Sequence, residues 1–155
     1  MELNELMTGF AAESGIDGLV PDGDGIYHLG VDDMVISVAG SEGGGEVALL
    51  GELGELPPEG AEEFYRSMME AMYQGKATGG AVFSLERASR RLCVHQREEL
   101  ARLDSVKFKS LLEKFADTVE EWRQKLLDFR PGVPTSAVAG DVPMSDMGMG
   151  GFMQV

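Results

Sequence analysis

Residues 26–53 read IYHLGVDDMVISVAGSEGGGEVALLGEL. Apolar residues recur there at every second position, which is the period of a strand with one buried face. The link VDDM is short enough for a hairpin, and GSEGGGE forms a longer, flexible hairpin loop. Three consecutive antiparallel strands are therefore predicted. Their inward-facing positions are Tyr27, Leu29 and Val31; Met34, Ile36 and Val38; and Val47, Leu49, Gly51 and Leu53.

Helical periodicity lies on both sides of these strands. A short amphipathic helix is predicted over residues 2–14, and Ser14–Gly15 ends it. A second helix is predicted within residues 56–75, where two prolines stop the strand and Gly75 closes the helix. The last helix has the clearest pattern and takes Asp104 as its N-cap. Its apolar stripe is Phe108, Leu111, Phe115, Val119, Trp122 and Leu126.

Residues 81–87 and 91–97 add another hairpin around the turn RASR. The order is α-β-β-β-α-β-β-α, which predicts an α+β domain over residues 1–130 with an antiparallel sheet of about five strands. After Arg130 the chain becomes rich in proline, glycine and methionine and has no sustained period. Residues 131–155 are therefore predicted to be a flexible tail.

The charge is concentrated in the first part of the chain. The formal net charge is −14, and residues 1–60 hold 13 Asp/Glu and no Lys or Arg. This surface argues against nucleic-acid binding, which needs basic groups to neutralise phosphates. The single cysteine, Cys93, excludes an internal disulfide framework and fits a reducing cytoplasm. The first residues predict no Sec signal, and no stretch predicts a membrane span.

The segment PDGDG at residues 21–25 raises the possibility of a calcium loop. A helix–loop–helix site starting at Asp22 needs ligands at alternate positions and glycine at position 6. Position 5 is Ile26, position 6 is Tyr27, and position 12 is Asp33 instead of glutamate. Two carboxylates are too few, so the segment is predicted to be a turn that binds no metal.

No catalytic constellation is found in the sequence. His28 and His95 lie within predicted strands and have no partner at ligand spacing. The patterns of phosphate loops, nucleophile elbows and zinc proteases are absent, and no cofactor is predicted. Cys93 is interpreted as a packing residue. A small enzyme that uses Cys93 or an aspartate pair remains an alternative, but a binding protein that is not an enzyme is favoured.

Two helices suggest protein binding. The second carries Phe64, Met68 and Met72 on one line, with Tyr65, Met69 and Tyr73 beside it, which is more apolar surface than one contact needs. One side is predicted to pack on the sheet and the other on a second subunit. The apolar stripe of the first helix either lines a groove for an apolar segment or simply packs on the sheet.

Four stretches together resemble class I type III secretion chaperones of the CesT (Tir chaperone) family. The first helix leads into DGDGIYHLGVDD, and GEVALLGELGELPPEG resembles the third strand and its exit into the central helix. YQGKATGGAVFSLERASRRLCVHQ resembles the family's last hairpin, and LEKFADTVEEWRQKL resembles its C-terminal helix. The resemblance covers roughly residues 2–127.

The resemblance implies an acidic homodimer of the bacterial cytoplasm that uses no ATP itself. Such a chaperone binds the N-terminal segment of a secreted effector, keeps it extended and delivers it to the secretion apparatus. The secretion ATPase is a further partner to consider. The main rival is an acidic adaptor that binds a folded protein outside secretion.

The resemblance also implies residue assignments, although some of these residues must belong to the core. The tail departs from the minimal family domain, and its end, MGMGGFMQV, either docks in the protein's own groove, engages another secretion component or does nothing. The predicted dimer interface is Phe64, Met68, Met72 and Val82. The predicted effector groove is Leu3, Leu6, Met7, Phe10, Leu29 and Ile36.

Overall fold

The alternating stretch folds as an antiparallel meander in the computed structural model, which describes residues 1–133. Its strands are β1 (Tyr27–Val31), β2 (Met34–Gly40) and β3 (Glu46–Glu55). Leu29 pairs with Ile36, and Val38 pairs with Leu49. This register places the predicted apolar positions on one face, because side chains directly opposite each other point the same way.

A second hairpin completes the sheet. It consists of β4 (Val82–Glu86) and β5 (Arg91–Glu99), and the strand order is β1-β2-β3-β5-β4. Strand β5 lies between β3 and β4, and all the pairings are antiparallel. Strand β4 is short, so its pairing with β5 begins at Val82 and His95, while β5 continues beside β3 to Glu99.

Helices α1 (Leu3–Ser14) and α3 (Ser105–Asp128) cover one face of the sheet. They contact each other through Phe10 and Phe108, whose rings meet edge to face with centroids 5.1 Å apart. Helix α2 (Ala61–Met72) packs on the C-terminal part of α3. The predicted α+β fold is therefore confirmed.

The start of α3 follows the expected capping chemistry. The Asp104 carboxylate accepts a hydrogen bond from the backbone N–H of Lys107 at 2.8 Å, which satisfies one of the free donors of the first turn. This hydrogen bond is the main reason that the pKa of the Asp104 carboxyl is lowered, because the Lys107 N–H stabilises the ionised form. The buried stripe includes Leu112 and Ala116, whereas the predicted Leu111 and Leu126 are only half-buried.

Helix α2 ends earlier than the sequence predicts. It stops at Met72, and a 3₁₀ turn over Tyr73–Gly75 follows it. Gln74 has a φ of 56°, which interrupts the helical path before Gly75. The predicted stop at Gly75 is thus the end of the turn and not of the helix.

The predicted domain boundary at residue 130 stays a prediction. Contacts continue a little past it, since the backbone N–H of Gly132 donates to the Glu63 carboxylate at 2.9 Å. The rest of the predicted tail, and its docking hypothesis, lie outside the described residues. Within residues 1–133 no helix is both long and apolar enough to cross a bilayer.

Candidate protein-interaction site

Helix α2 carries two parallel rows of apolar residues, and the inner row belongs to the core. Phe64 is fully buried and Met68 is 3% exposed. The Phe64 ring meets Trp122 and Phe129 edge to face, with centroids 6.0 and 5.3 Å apart. These side chains fix α2 on the end of α3, so they hold the protomer together.

The outer row faces solvent. Met69 and Tyr73 are 66% and 58% exposed, and Tyr65 is 36% exposed. Four-residue spacing places Tyr65 and Met69 on one line of α2, and Tyr73 follows them in the 3₁₀ turn. This row is exposed apolar surface of the kind whose burial drives association.

Strand β4 extends the same surface. The backbone N–H of Phe83 donates to the Met72 sulfur at 3.3 Å, which places the end of α2 against β4. Val82 and Leu85 on this strand are about 40% exposed. We call the combined region the α2–β4 surface. It consists of Tyr65, Met69, Tyr73 and Leu85, whereas Val82 lies opposite His95 and points to the other face of β4.

The second face of the meander is open. Burial alternates along β1, β2 and β3, so every second side chain points away from α1 and α3. Val35 and Leu50 are exposed apolar residues on this face. Strand β1 is also an outer strand, because it pairs with β2 alone within residues 1–133. An outer strand presents backbone groups that an extended peptide can pair with.

A cleft of about 410 Å³ lies between the start of α1 and the ends of β1 and β2. Leu3, Tyr27 and Gly40 line it, and the Tyr27 hydroxyl donates to the Asn4 side-chain oxygen at 3.0 Å. Leu3 is the one residue of the predicted groove that combines partial exposure with a place in this cleft.

The other predicted groove residues lie in the protomer core. Leu6, Met7, Phe10, Leu29 and Ile36 are each 5% exposed or less. These five side chains lie beneath the surface, so they could contact an effector only if they moved outward. The predicted dimer residues divide similarly, since Phe64 and Met68 are buried, Met72 is half-buried and Val82 is exposed. Both assignments stay predictions.

The PDGDG segment forms the turn that launches β1. One Asp22 carboxylate oxygen accepts from the backbone N–H groups of Asp24 and Ile26 at 2.9 and 3.0 Å. The other lies 2.8 Å from His28 Nε2, and His28 Nδ1 lies 3.1 Å from the Ser37 hydroxyl. The His28 contact, followed by the backbone donors, lowers the pKa of Asp22.

The lowered pKa of Asp22 predicts a stability contribution that depends on pH. It is fully present above the ordinary aspartate pKa of 3.8 and is lost as the pH falls through the lower folded-state pKa. D22N is therefore expected to lower the urea midpoint near neutral pH, and the difference from wild type should disappear as the pH falls through the lowered folded-state pKa. D24N is the matched control, and an equal loss in both variants would contradict the assignment.

Cys93 does not have the surroundings of an activated nucleophile. Burial raises the pKa of the Cys93 thiol, an effect that outweighs the nearby Arg91 charge. A raised pKa suppresses the reactive thiolate, which disfavours the cysteine-enzyme alternative. In the part of the chain from 1 to 133, no three His, Cys, Asp or Glu side chains are grouped so that they could hold a metal ion.

A profile of the Tir chaperone protein (CesT) family matches residues 5–123, from α1 to near the end of α3. The chain belongs to the CesT family. The resemblance predicted from the sequence is therefore confirmed. A search of curated protein sequences gave no match.

Solved structures share the CesT fold at low sequence identity. A chain of the ExsC–ExsE complex has 19% identity and a TM-score of 0.67, covering 81% of this chain and 97% of that one. A chain of the HopA1–SchA chaperone–effector complex has 15% identity and a TM-score of 0.65, with coverages of 78% and 92%. A chain of the complex between the Yersinia pestis type III secretion chaperone SycH and a YscM2 fragment has 15% identity and a TM-score of 0.61. The match covers 74% of this chain and 94% of that one.

Sequence reasoning identified both apolar rows of α2 but did not establish which of them is exposed in the single chain. Phe64 and Met68 were expected at the subunit interface, whereas Met69 and Tyr73 are the exposed members. The two rows have the same spacing and similar composition. The acidic residues Glu62 and Glu70 do not mark one row as outer, so no local signal in this CesT chain separates them.

Proposed function

We propose that this protein is a type III secretion chaperone that binds the N-terminal segment of a secreted effector. It keeps that segment extended and soluble and delivers it to the secretion apparatus. The observation that carries the proposal is the family match over residues 5–123, nearly the whole described domain. The HopA1–SchA chaperone–effector complex and the complex of the chaperone SycH with a YscM2 fragment share the fold and support it.

The surface has the properties that an extended client requires. The outer edge of β1 offers backbone hydrogen bonds, and the cleft beside Leu3 offers a place for a side chain. A wrapped segment gains enough buried area to offset the entropy of ordering. The net charge of −14 keeps a protein with exposed apolar surfaces soluble.

We further propose that two copies associate through the α2–β4 surface. Its exposed side chains are large and apolar, and Met69 and Tyr73 are more than half exposed in the single chain. Methionine and tyrosine are common anchors of protein interfaces. Dimerisation would remove this apolar area from water while leaving the β1 edge of each copy open. A bacterial cytoplasmic location and contact with the secretion ATPase are parts of this proposal drawn from the family alone.

M69E is expected to weaken self-association at least about tenfold, because it places an unpaired charge in an apolar interface. Sedimentation velocity over a range of protein concentrations measures the change. V106E is the matched control, because Val106 is 69% exposed, against 66% for Met69, but lies on α3. A wild-type monomer, or equal association of the two variants, would contradict the proposed interface.

Co-expression with a candidate secreted effector tests the main proposal. A stable complex should co-purify, and an effector truncated at its N-terminus should no longer bind. The adaptor alternative instead expects binding to a folded domain of the partner. Retention of binding after removal of the effector's N-terminal segment would therefore favour the adaptor.

A further inference from the structure

A cavity of about 470 Å³ opens between α3 and the end of β5. Its walls combine the loop after α2, the last residues of β5 and the first half of α3. The walls are mixed in character, with two apolar side chains among polar ones. The lining includes Thr78, Gln96, Glu98, Leu111, Lys107 and Lys114.

Thr78 is the unusual member of this lining. Its residue is only 2% exposed, and its hydroxyl has no hydrogen-bond partner in the described chain. A buried hydroxyl without a partner is costly, and such groups are normally satisfied. The neighbouring Gln96 is held in place, since its amide nitrogen donates to the Gly79 carbonyl at 3.2 Å. The hydroxyl oxygen is shielded from solvent, so a small shift of the loop after α2 is needed before it can donate to a group bound in the cavity.

The cavity also concentrates positive charge in an acidic protein. Lys107 and Lys114 line it beside a single carboxylate, Glu98, so the lining carries a formal charge of +1 in a chain of −14. Lys107 has only a loose ion pair, 3.7 Å from the exposed Asp104. Lys114 makes no ion pair within residues 1–133. Both ammonium groups can therefore receive a carboxylate.

The sheet ends beside this cavity in a way that suits an extended chain. Strand β4 pairs with β5 only as far as Val82 and His95. Residues 96–99 of β5 consequently have β3 on one side and no second strand on the other within the described chain. An extended peptide can pair along this remaining edge and place one side chain over α3.

We propose that this cavity, the α3–β5 pocket, binds an extended polypeptide segment through an acidic side chain. Lys107 and Lys114 receive the carboxylate, the Thr78 hydroxyl donates a hydrogen bond, and the peptide backbone pairs along residues 96–99. The inference rests on the proposed function in taking the effector as the source of the segment. It adds an acidic position to the recognised sequence, at a place separate from the β1 edge.

Nuclear magnetic resonance titration with two blocked pentapeptides tests the proposal. Both alternate valine and threonine, and the central residue is glutamate in one and glutamine in the other. The glutamate peptide should shift the amide signals of Gly79 and of residues 96–99, and the glutamine peptide should bind about tenfold more weakly. Equal binding of the two, or shifts confined to other regions, would overturn the proposal.

Lysine substitutions distinguish binding in the α3–β5 pocket from non-specific attraction between the peptide and positive charge. K107Q combined with K114Q should weaken binding of the glutamate peptide about tenfold, whereas K109Q, on the same helix outside the lining, should not. An equal loss with K109Q would reduce the effect to non-specific attraction and overturn the proposal. Acetate tests whether any small carboxylate binds equally well. If acetate at the concentration of the glutamate peptide displaced that peptide completely, the proposal would also be overturned.

T78V tests whether the Thr78 hydroxyl serves binding or only the fold, because its effects on stability and on peptide affinity can be measured separately. Valine has the same shape, so removal of an unpartnered hydroxyl should leave the urea midpoint unchanged or raise it. The same change should weaken the glutamate peptide several-fold. A lower midpoint with unchanged binding would show that the hydroxyl serves the fold. If wild-type protein captures the effector and the K107Q–K114Q variant captures it equally well, this inference fails while the proposed function stands.

Discussion

F64A is expected to remove about 3–5 kcal/mol from the free energy of unfolding. Phe64 is fully buried, and its ring contacts both Trp122 and Phe129 edge to face. Alanine would leave a cavity between α2 and α3 that the rigid Trp122 ring cannot fill. The buried area and the aromatic contacts are lost together. Urea unfolding at a fixed protein concentration, followed by tryptophan fluorescence, measures the change.

L127A is the control for this experiment, since Leu127 lies on α3 but is 70% exposed. It should change the free energy of unfolding by no more than about 0.5 kcal/mol. The interface interpretation makes a different prediction for Phe64. If F64A kept its unfolding midpoint but became monomeric, Phe64 would belong to the subunit interface, as the sequence suggested, and the core assignment would be wrong.

G51A is expected to destabilise the protein by about 1–3 kcal/mol, although it adds only one methyl group. A Cβ atom at Gly51 would lie 2.6 Å from one methyl carbon of Val119 and 3.2 Å from the other. Val119 is 1% exposed and β-branched, so its side chain cannot rotate away without clashes elsewhere. Gly51 is thus the position where α3 approaches the centre of the sheet most closely among the glycines of β3.

The matched control is G30A, because a Cβ atom at Gly30 on β1 would meet nothing within 4 Å. Its stability should stay close to that of wild type. V119A creates space opposite Gly51, so the G51A–V119A double variant should be more stable than the sum of the single effects predicts, by about 0.5–3 kcal/mol. Strict additivity of the two substitutions would contradict the close approach of α3 to the sheet.

The fold was predictable because its signals are local. Alternation in residues 26–53 fixes which side chains of β1, β2 and β3 share a face, since a shift of one residue would expose all of them. Asp104 and the long stripe after it define α3 in the same direct way. The match to a known family followed from the order and length of these elements.

The surface was less predictable, because burial depends on how the elements dock. The apolar stripe of α1 has the same spacing whether it faces its own sheet or a client, and the structure places Leu6, Met7 and Phe10 in the core. The two rows of α2 are equally periodic, and only the contact with Trp122 selects Phe64 for burial. Thr78 gave no signal, because its significance comes from Lys107 and Lys114, which are distant in sequence.

Limited proteolysis of the complex with the co-expressed effector shows whether the chaperone binds an extended N-terminal segment. We expect a protease to digest the free effector segment completely. The chaperone should protect one continuous N-terminal fragment, because an extended segment that pairs with strand edges is shielded along its length. Mass spectrometry of the surviving fragment should place it before the effector's folded domain. Survival of a folded domain alone, with the N-terminal segment digested in the presence of the chaperone, would contradict the account.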